Sequence, residues 1–330
     1  MRIKVGFLMK ANQEIYDVLG KQMPDGFELL TLSDGPVNDL LPQLDILIAG
    51  KVNEDMFRQA RRLRFIQTPG AGSDGIDLEA AAQFGIPVAT TSCGIADEVA
   101  ELTFALILAV ARRVAELDRE LRKGNWLMWD RRMVSRTLAG RTLGVVGMGR
   151  IGREVATRAL AFKMHVCCSD PLESAEFPRL PLEELLEVSD IVSLHVPLDD
   201  STRRLMSRER IARMKRGAIL VNVARGEVLD EEALIEALHE GRLAGAGLDV
   251  FDREPPLRSN PLLGMDNVVL TPHVGSGTLD SAEIRARAYV ANIQKFLAGE
   301  EPDGLIRMLR QQPLWGPTYP PPFPPRGVNV

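Results

Sequence analysis

Three polar side chains, widely separated along the sequence, are of the types that could together reduce a carbonyl group. Arg225, Glu254 and His273 each follow a short apolar run of the kind that forms a buried strand. Histidine can donate a proton near neutral pH, and a nearby carboxylate favours the charged imidazolium and orients the ring. The planar fork of an arginine binds a carboxylate and a carbonyl oxygen together. A turn position for His273 and a helix-capping role for Arg225 are the simpler structural alternatives.

A glycine-rich segment in the middle of the chain has the spacing of a phosphate-binding loop. The run GMGRIG, residues 147–152, follows an apolar run over 143–147 and precedes a helical pattern over 150–162. The glycines allow a tight turn, a close approach of the backbone to pyrophosphate, and close packing of strand against helix. The N–H groups at the start of the helix attract phosphate. The segment therefore predicts a dinucleotide site that includes Gly147, Gly149, Arg150, Ile151 and Gly152.

An acidic residue follows at the place expected for the adenosine ribose. Asp170 comes directly after the next predicted strand, over 165–169, and lies 18 residues beyond Gly152. Its carboxylate can accept hydrogen bonds from the ribose hydroxyls and would repel a 2′-phosphate. The residues that follow, Pro171-Leu-Glu, include no arginine that could neutralise such a phosphate. NAD is therefore predicted as the cofactor rather than NADP, with a glycine-rich turn and a capping aspartate as the structural alternative.

Short apolar runs alternate with helical patterns along most of the chain, which predicts parallel sheets covered by helices on both faces. The expected fold class is doubly wound α/β, and 330 residues suit two domains. One long helix is predicted over 96–122, and another over 279–297 could carry the chain back to the first domain. From Pro313 to Pro325 the sequence contains seven prolines, a composition that favours extended conformation over a packed core.

Composition excludes several classes of partner. The formal net charge of -5 gives no general attraction to nucleic acid or to anionic membranes, so neither is expected to bind. The longest apolar run, 104–111, is too short to span a bilayer, and the apolar run within the first nine residues is shorter than a signal peptide needs, so none is expected. Cys93, Cys167 and Cys168 offer neither a disulfide framework nor a zinc site, so no metal is expected. A reducing cytoplasm is the simplest location.

Several segments, in their order and spacing, resemble the D-isomer-specific 2-hydroxyacid dehydrogenase family over about residues 40–300. The matching segments are TPGAGSDGID at 68–77, VAELTFALIL at 99–108, LAGRTLGVVGMGRIG at 138–152, NVARG at 222–226, AGAGLDVF at 244–251 with EPP at 254–256, and TPHVG at 271–275. The resemblance implies an NAD-binding domain, residues 99–275, inserted into a smaller discontinuous flavodoxin-like substrate-binding domain, residues 1–98 and 276–330. Members are usually dimers with the 96–122 region in the interface, so a homodimer is expected.

The resemblance assigns catalytic roles to the three polar residues. It implies that Arg225 binds the substrate, that His273 is the acid and base, and that Glu254 is its carboxylate partner. The substrate would be a small 2-keto acid or D-2-hydroxy acid, such as glyoxylate or hydroxypyruvate. The loop Gly70-Ala71-Gly72 would offer backbone N–H groups to the substrate carboxylate. Lys51 could meet an anionic group, with a solvent-facing lysine as the alternative.

The resemblance also extends the expected NAD site beyond the glycine-rich loop. Asp249 would contact the nicotinamide carboxamide. The further positions expected to contact the cofactor are Val99, Pro197, Thr202, Val223, Ala224 and Gly275.

Related activities on the same scaffold form the alternatives. Formate dehydrogenases pair their histidine with glutamine and have asparagine where Ile95 stands, and phosphite dehydrogenases have lysine where Ala71 stands, so both are disfavoured. The segment Gly50–Asn53, in a region that often sets substrate preference, is short, and the sequence does not choose among small keto acids. A different class is a non-catalytic, NAD(H)-sensing protein similar to a corepressor, which can retain all three polar residues.

Overall fold

The structure is a computed structural model that describes residues 2–91, 93–171 and 176–307. Packing divides the chain into two compact units. Of the described residues, the first unit contains those up to Gly94 and those from Thr278 to Arg307, and the second contains those from Ile95 to Gly277. The boundaries expected from the sequence were 98/99 and 275/276, and the assignment of the first unit to substrate binding stays a prediction. The predicted Pro-rich tail, from about residue 310, lies outside the described residues.

The first unit begins with short strands that alternate with helices. Its elements before the second unit are β1 (Ile3–Phe7), α1 (Gln13–Gln22), β2 (Phe27–Thr31), α2 (Val37–Leu40), β3 (Ile46–Ile48), α3 (Glu54–Gln59), β4 (Phe65–Gln67), α4 (Leu78–Gln83) and β5 (Val88–Ala89). The strands form a parallel sheet in the order β2-β1-β3-β4-β5. Parallel neighbours need crossover connections, which the helices provide.

The second unit has the same alternation and a larger sheet. Its elements are α5 (Ala96–Arg112), α6 (Val114–Arg122), β6 (Thr142–Val146), α7 (Arg150–Ala161), β7 (His165–Ser169), α8 (Leu182–Val188), β8 (Ile191–Leu194), α9 (Arg208–Arg213), β9 (Ile219–Asn222), α10 (Glu231–His239), β10 (Gly245–Leu248) and β11 (Val268–Leu270). The parallel strands follow the order β11-β10-β9-β8-β6-β7. The order reverses at β6, and doubly wound sheets bind ligands outside the strand ends at such a point. The predicted α/β fold class is confirmed.

A final helix, α11 (Leu279–Ala298), packs on the sheet of the first unit. The side chain of Thr278 accepts a hydrogen bond from the Ser281 N–H, and the Ser281 hydroxyl accepts one from the Thr278 N–H, which closes a capping box at its start. Gly299, with φ of 77°, ends it in the left-handed conformation. The ring of Phe296 stacks on Phe65 of β4 with centroids 4.9 Å apart. The helix predicted over 279–297 is confirmed.

The strand ends of the second unit lie in one row. Hydrogen-bonded pairing across the sheet, from β7 to β11, aligns Ser169, Val146, Leu194, Asn222, Leu248 and Leu270. The loops that follow these residues therefore leave the sheet along a single edge. Every predicted site residue of this unit except Val99, which lies on α5, belongs to one of these loops or to the helix that starts there.

Alternate residues of each buried strand face opposite layers of helices. On one face of the second sheet, Val145 belongs to a core cluster with Phe104 of α5 and Val155 of α7. On the other face, Val146 packs in a cluster with Leu185 of α8. Both faces are apolar because both are covered, which explains why these strands show little alternation in the sequence.

The helix predicted as continuous over 96–122 is interrupted. Arg113 has φ of 57°, a left-handed conformation that ends α5 and precedes α6. One turn into α6, the buried carboxylate of Glu116 lies 2.7 Å from the Arg131 guanidinium and 3.8 Å from that of Arg113. These pairings fix the direction of α6 and of the segment that follows. The residue at the break is not glycine, so the sequence pattern predicts a continuous helix across it.

Candidate active site

A buried side chain holds the loop that carries Arg225. Asn222, the last residue of β9, donates from Nδ2 to the carbonyl of Arg225 (2.8 Å) and accepts at Oδ1 from the N–H of Ala224 (3.0 Å). A β-carbon on Gly226 would lie 1.9 Å from the carbonyl carbon of Phe251, so only glycine fits where this loop passes the loop after β10. Sequence reasoning gave Asn222 no role, although asparagine side chains commonly bond to the backbone of a turn.

The loop after β10 brings Glu254 to His273. Glu254 Oε2 and His273 Nδ1 are 2.8 Å apart, and Glu254 Oε1 accepts a hydrogen bond from the N–H of Phe251 at 3.2 Å. The side chains are partly accessible, 35% for Glu254 and 46% for His273. Arg225 is close enough for its charge to act on both partners. The structure thus brings together the three residues predicted as a catalytic set, whose roles stay predictions.

Glu254 holds a proton on His273. The hydrogen bond that His273 Nδ1 donates to Glu254 raises the pKa of His273; burial opposes this, the charges of Glu254 and Asp249 add to it, and the charge of Arg225 lowers it. Burial raises the pKa of Glu254, but the hydrogen bond and charge of His273, the hydrogen bond from the Phe251 N–H and the charge of Arg225 together make the net shift downward. The imidazolium–carboxylate state therefore persists to higher pH than for an isolated histidine. With Nδ1 bonded to Glu254, Nε2 is the nitrogen that can transfer a proton.

A buried carboxylate, that of Asp249, shapes the loop that carries His273. Asp249 Oδ1 accepts hydrogen bonds from the Thr271 hydroxyl (2.6 Å) and the Val274 N–H (2.9 Å), and Oδ2 accepts from the Gly275 N–H (2.8 Å). The N–H of His273 donates to the Asp249 carbonyl at 2.8 Å, and its φ of 53° is left-handed. Asp249 is thus the main internal support of this loop, a role that the sequence did not indicate. Its predicted nicotinamide contact stays a prediction.

The GMGRIG loop fits the pyrophosphate of a dinucleotide. Gly147 has φ of 92°, and a β-carbon on Gly152 would lie 2.1 Å from the Gly147 carbonyl oxygen, so close packing of α7 on β6 requires both glycines. At Gly149, by contrast, a β-carbon would have no heavy atom of the described residues within 4 Å. Gly149 is the N-cap of α7 and has no side chain to cap it. A helix start without a side-chain cap suits a phosphate, which can accept hydrogen bonds from the N–H groups of the first turn.

Asp170 lies against the same loop. Its Oδ2 accepts a hydrogen bond from the Met148 N–H at 2.6 Å. Although no arginine directly follows Asp170 in the sequence, folding places Arg179 nearby, where its guanidinium donates to the Pro171 carbonyl at 3.3 Å. Arg179 would attract a 2′-phosphate at this position, whereas the carboxylate of Asp170 would repel it.

The other positions predicted to contact NAD lie around the same row of loops. The Thr202 hydroxyl donates to the Pro197 carbonyl at 2.6 Å, and a β-carbon on Gly275 would lie 3.3 Å from Val99 Cγ2. By contrast, His195, directly after β8, is partly buried: its Nε2 lies 2.8 Å from the Ser193 hydroxyl, and burial lowers its pKa to about 3. Contacts to the cofactor stay predictions for the whole set, including Arg150, Ile151, Val223 and Ala224.

The loop predicted to bind the substrate carboxylate lies in the first unit, after β4. Among the described residues, no group accepts a hydrogen bond from the N–H of Gly70, Ala71 or Gly72. The carbonyl of Gly70, by contrast, accepts from the N–H of Thr91 at 3.0 Å. Successive amides without internal acceptors form sites for anions. Lys51 is exposed after β3, and its predicted contact with an anionic group stays a prediction.

Fold and site together define a dinucleotide-dependent oxidoreductase, and known proteins give its family. Residues 104–275 match the sequence profile of the D-isomer specific 2-hydroxyacid dehydrogenase, NAD binding domain. A glyoxylate reductase of Korarchaeum cryptofilum is 42% identical over 268 residues, 79% of this chain and 81% of the relative. A hydroxypyruvate reductase of Thermotoga maritima is 42% identical over 264 residues, 78% and 85%. The crystal structure of D-lactate dehydrogenase from Aquifex aeolicus complexed with NAD and lactic acid superposes with a TM-score of 0.79, 32% identity and coverage of 90% and 96%.

The chain therefore belongs to the D-isomer-specific 2-hydroxyacid dehydrogenase family. It is an NAD-dependent enzyme, as predicted, and the comparisons give no support to the NAD(H)-sensing alternative. Among the described residues, we find no helix whose length and hydropathy suit a membrane span.

The first prediction concerns the proton on His273. Glu254→Gln preserves the shape of the side chain but removes the charge that favours the imidazolium, so the pKa of His273 should fall. Because reduction needs the protonated ring, the alkaline limb of the kcat/KM profile for keto-acid reduction should move to lower pH. The acidic limb of the oxidation profile should move in the same direction. Glu236→Gln, which alters a surface pair with Arg208, is the control and should leave both limbs in place. An unmoved limb in a variant that still binds NADH would mean that another group manages the proton.

A second prediction concerns cofactor choice. Asp170→Ala should reduce kcat/KM for NADH roughly tenfold, because hydrogen bonds from the ribose to a charged acceptor are lost. The same change removes the repulsion of a 2′-phosphate while Arg179 remains nearby, so NADPH should become a better substrate. Steady-state kinetics with both cofactors measure the ratio, with the exposed Asp200→Ala as the control. An unchanged ratio, or a wild-type enzyme that prefers NADPH, would contradict this role of Asp170.

Proposed function

We propose that the protein reduces a small 2-keto acid, such as glyoxylate or hydroxypyruvate, to the D-2-hydroxy acid with NADH. The Glu254–His273 pair, 2.8 Å apart with Arg225 nearby, is the observation that carries the proposal. Relatives named glyoxylate reductase and hydroxypyruvate reductase support this choice of substrates. NADH oxidation with glyoxylate, hydroxypyruvate, pyruvate and bulkier keto acids tests it. Tight NADH binding with no turnover of any of them would contradict it and favour a sensor.

In this proposal each residue of the set has one task. When bound, NADH supplies a hydride to the carbonyl carbon of the keto acid. His273 donates its Nε2 proton to the carbonyl oxygen, which becomes the hydroxyl of the product. Glu254 stabilises the imidazolium and orients the ring through Nδ1. Arg225 binds the keto acid and stabilises the negative charge that develops on the oxygen. In the oxidation direction, neutral His273 takes the proton back.

We further propose that the substrate carboxylate binds to the N–H groups of Gly70, Ala71 and Gly72. Two features support this: these amides have no acceptor among the described residues, and a β-carbon on Gly70 would have no heavy atom of those residues within 4 Å. Lys51, exposed after β3, would add positive charge for an anionic substrate. The absence of a side chain at Gly70 leaves space for the substrate beside the amides.

The third prediction is that Arg225→Lys is costly. A lysine keeps the charge, but a point charge cannot make the paired hydrogen bonds of the guanidinium fork. Losing one charge-assisted hydrogen bond should lower kcat/KM for glyoxylate by roughly 10- to 100-fold. Arg208→Lys, at an exposed arginine that also pairs with a carboxylate, is the matched control. Near-normal kcat/KM in the Arg225→Lys enzyme would remove Arg225 from the proposed binding of the keto acid.

We also propose that the protein is a cytoplasmic homodimer. Trp126, Trp129 and Met133 are 74%, 70% and 96% exposed, which is unusual for large apolar side chains clustered in one segment. The same segment contains Arg131, which pairs with the buried Glu116 of α6 and so ties it to the 96–122 region that the family resemblance places in the interface. A second copy of the chain is therefore the partner that these side chains suit.

The cysteines are free thiols, which supports the proposal that the protein works in a reducing compartment such as the cytoplasm.

The fourth prediction tests this surface. Trp129→Glu places a charge where an apolar ring would be buried between copies, so it should shift the protein from dimer toward monomer. Light scattering coupled to size-exclusion chromatography measures the mass at several concentrations. Leu279→Glu, at another highly exposed apolar residue, in the first unit, is the control and should leave the mass unchanged. A wild-type monomer, or a Trp129→Glu protein that is still fully dimeric, would contradict the proposed interface.

A further inference from the structure

Two buried hydroxyl groups lie beneath the loop that offers its amides to the substrate. Tyr289, on the sheet-facing side of α11, is buried and donates from its hydroxyl to the Pro69 carbonyl at 2.7 Å. Thr68, the first residue after β4, is fully buried and donates from Oγ1 to the Gly70 carbonyl at 2.7 Å. The N–H of Thr91 donates to the same carbonyl at 3.0 Å. Two consecutive carbonyls of the loop are thus held by internal donors.

The geometry of the peptide bond converts these contacts into a constraint on the amides. The Pro69 carbonyl and the Gly70 N–H belong to one planar trans peptide, in which the C=O and N–H bonds point in opposite directions. The Gly70 carbonyl and the Ala71 N–H are related in the same way. A carbonyl fixed toward the buried hydroxyls therefore turns the following N–H away from them. Neither of these N–H groups has an acceptor among the described residues.

We propose that Tyr289 and Thr68 are positioning residues, whose hydroxyls orient the Gly70 and Ala71 amides for the carboxylate of the substrate. This inference rests on the proposed function, which assigns the carboxylate to these amides. Glycine at position 70 makes such support necessary, because its backbone adopts many conformations when nothing restrains it. Because folding already orders the two peptides, the conformational entropy lost in ordering them does not weaken substrate binding.

The position of Tyr289 is itself fixed by a buried polar contact one turn further along α11. Asn292 donates from Nδ2 to Gln67 Oε1 at 2.8 Å, and both residues are buried. Gln67 in turn donates from Nε2 to the carbonyls of Thr68 and Ala89, each at 3.1 Å. This contact holds α11 against the end of β4, which fixes the position of the Tyr289 hydroxyl relative to the Pro69 carbonyl. Burial also raises the pKa of Tyr289 to about 12, so its hydroxyl keeps the donated proton throughout the working pH range.

Tyr289→Phe tests the proposal because it removes the hydroxyl and retains the ring that packs in the core. We expect KM for glyoxylate to rise about tenfold, as for the loss of one hydrogen bond to a bound anion, with kcat changed less than about twofold. The dissociation constant of oxamate, an unreactive 2-oxo carboxylate analogue, should rise to a similar extent in the presence of NADH. The dissociation constant of NADH itself should not change. Thr68→Val should show the same split between KM and kcat, and Thr68→Ser, which restores a hydroxyl, should recover most of the loss.

Tyr16→Phe is the matched control. Tyr16 is also a buried tyrosine of the first unit whose hydroxyl donates to a backbone carbonyl, that of Met9 at 3.1 Å. Its loss should leave KM for glyoxylate unchanged, which separates loop positioning from a general effect of removing a buried hydroxyl. Unchanged KM in both Tyr289→Phe and Thr68→Val, or a fall in kcat with no change in KM, would overturn the inference while the proposed function stands. A wild-type protein that neither reduces keto acids nor binds oxamate would overturn both.

Discussion

The register of the parallel sheets is the constraint on which the rest of the structure depends. In the second unit, backbone pairing aligns the last residues of all the strands, so the loops that follow begin along one line. This alignment brings residues far apart in the sequence, such as Arg225 and His273, toward one another. The same register in the first unit places Gln67 of β4 beside Ile48 of β3 and Ala89 of β5. A slip of one residue in any strand would reverse its buried faces and displace its loop.

Backbone N–H and C=O groups in the loops that leave a sheet have no partners in the neighbouring strands. In this protein, buried polar side chains supply their hydrogen bonds. Asn222 bonds to the backbone of the Arg225 loop, and Asp249 accepts three hydrogen bonds from the His273 loop. Thr68 and Tyr289 do the same beneath the Gly70 loop. Each of these groups is buried, and each would carry a desolvation cost if the loop moved away. The loops proposed to bind ligands are thus held by buried polar side chains, which favours a site formed before binding.

Local signals in the sequence were sufficient to predict the fold class and to single out the three polar residues that the structure brings together, Arg225, Glu254 and His273. Short apolar runs marked the strands, and glycine spacing marked the cradle at 147–152, because each signal arises within a few neighbouring residues. Strand ends were less certain: strands expected over 191–195 and 219–223 each stop one residue earlier, since the pattern does not show where pairing ceases. The supporting residues were missed because their partners are distant. Tyr289 lies 220 residues from the carbonyl that it binds, and nothing in either segment indicates the other.

The break at Arg113 illustrates the same limit in a helix. A left-handed residue without glycine is unfavourable on local grounds, and the apolar spacing of 96–122 suits one continuous helix. The break lets Glu116 reach Arg131, 15 residues further along the chain. In this ion pair the carboxylate of Glu116 is buried and the guanidinium of Arg131 is partly exposed. Without Arg131, the buried Glu116 carboxylate would retain only the more distant Arg113 guanidinium, a loss that favours keeping the break. Only the tertiary contact, and no local pattern, predicts where the chain turns.

Charges around His273 act in opposite directions, and the proposed reaction reconciles them. Glu254 raises the pKa of the imidazole, whereas Arg225 lowers it. An anionic keto acid bound to Arg225 brings negative charge close to the guanidinium and offsets its effect on the ring. In the proposed reaction, substrate binding would therefore increase the proton affinity of His273, and by thermodynamic reciprocity the protonated enzyme would bind the anion more tightly. Arg225 would then no longer oppose the protonation of His273 once the substrate is bound, and substrate and proton would be taken up together in the direction of reduction.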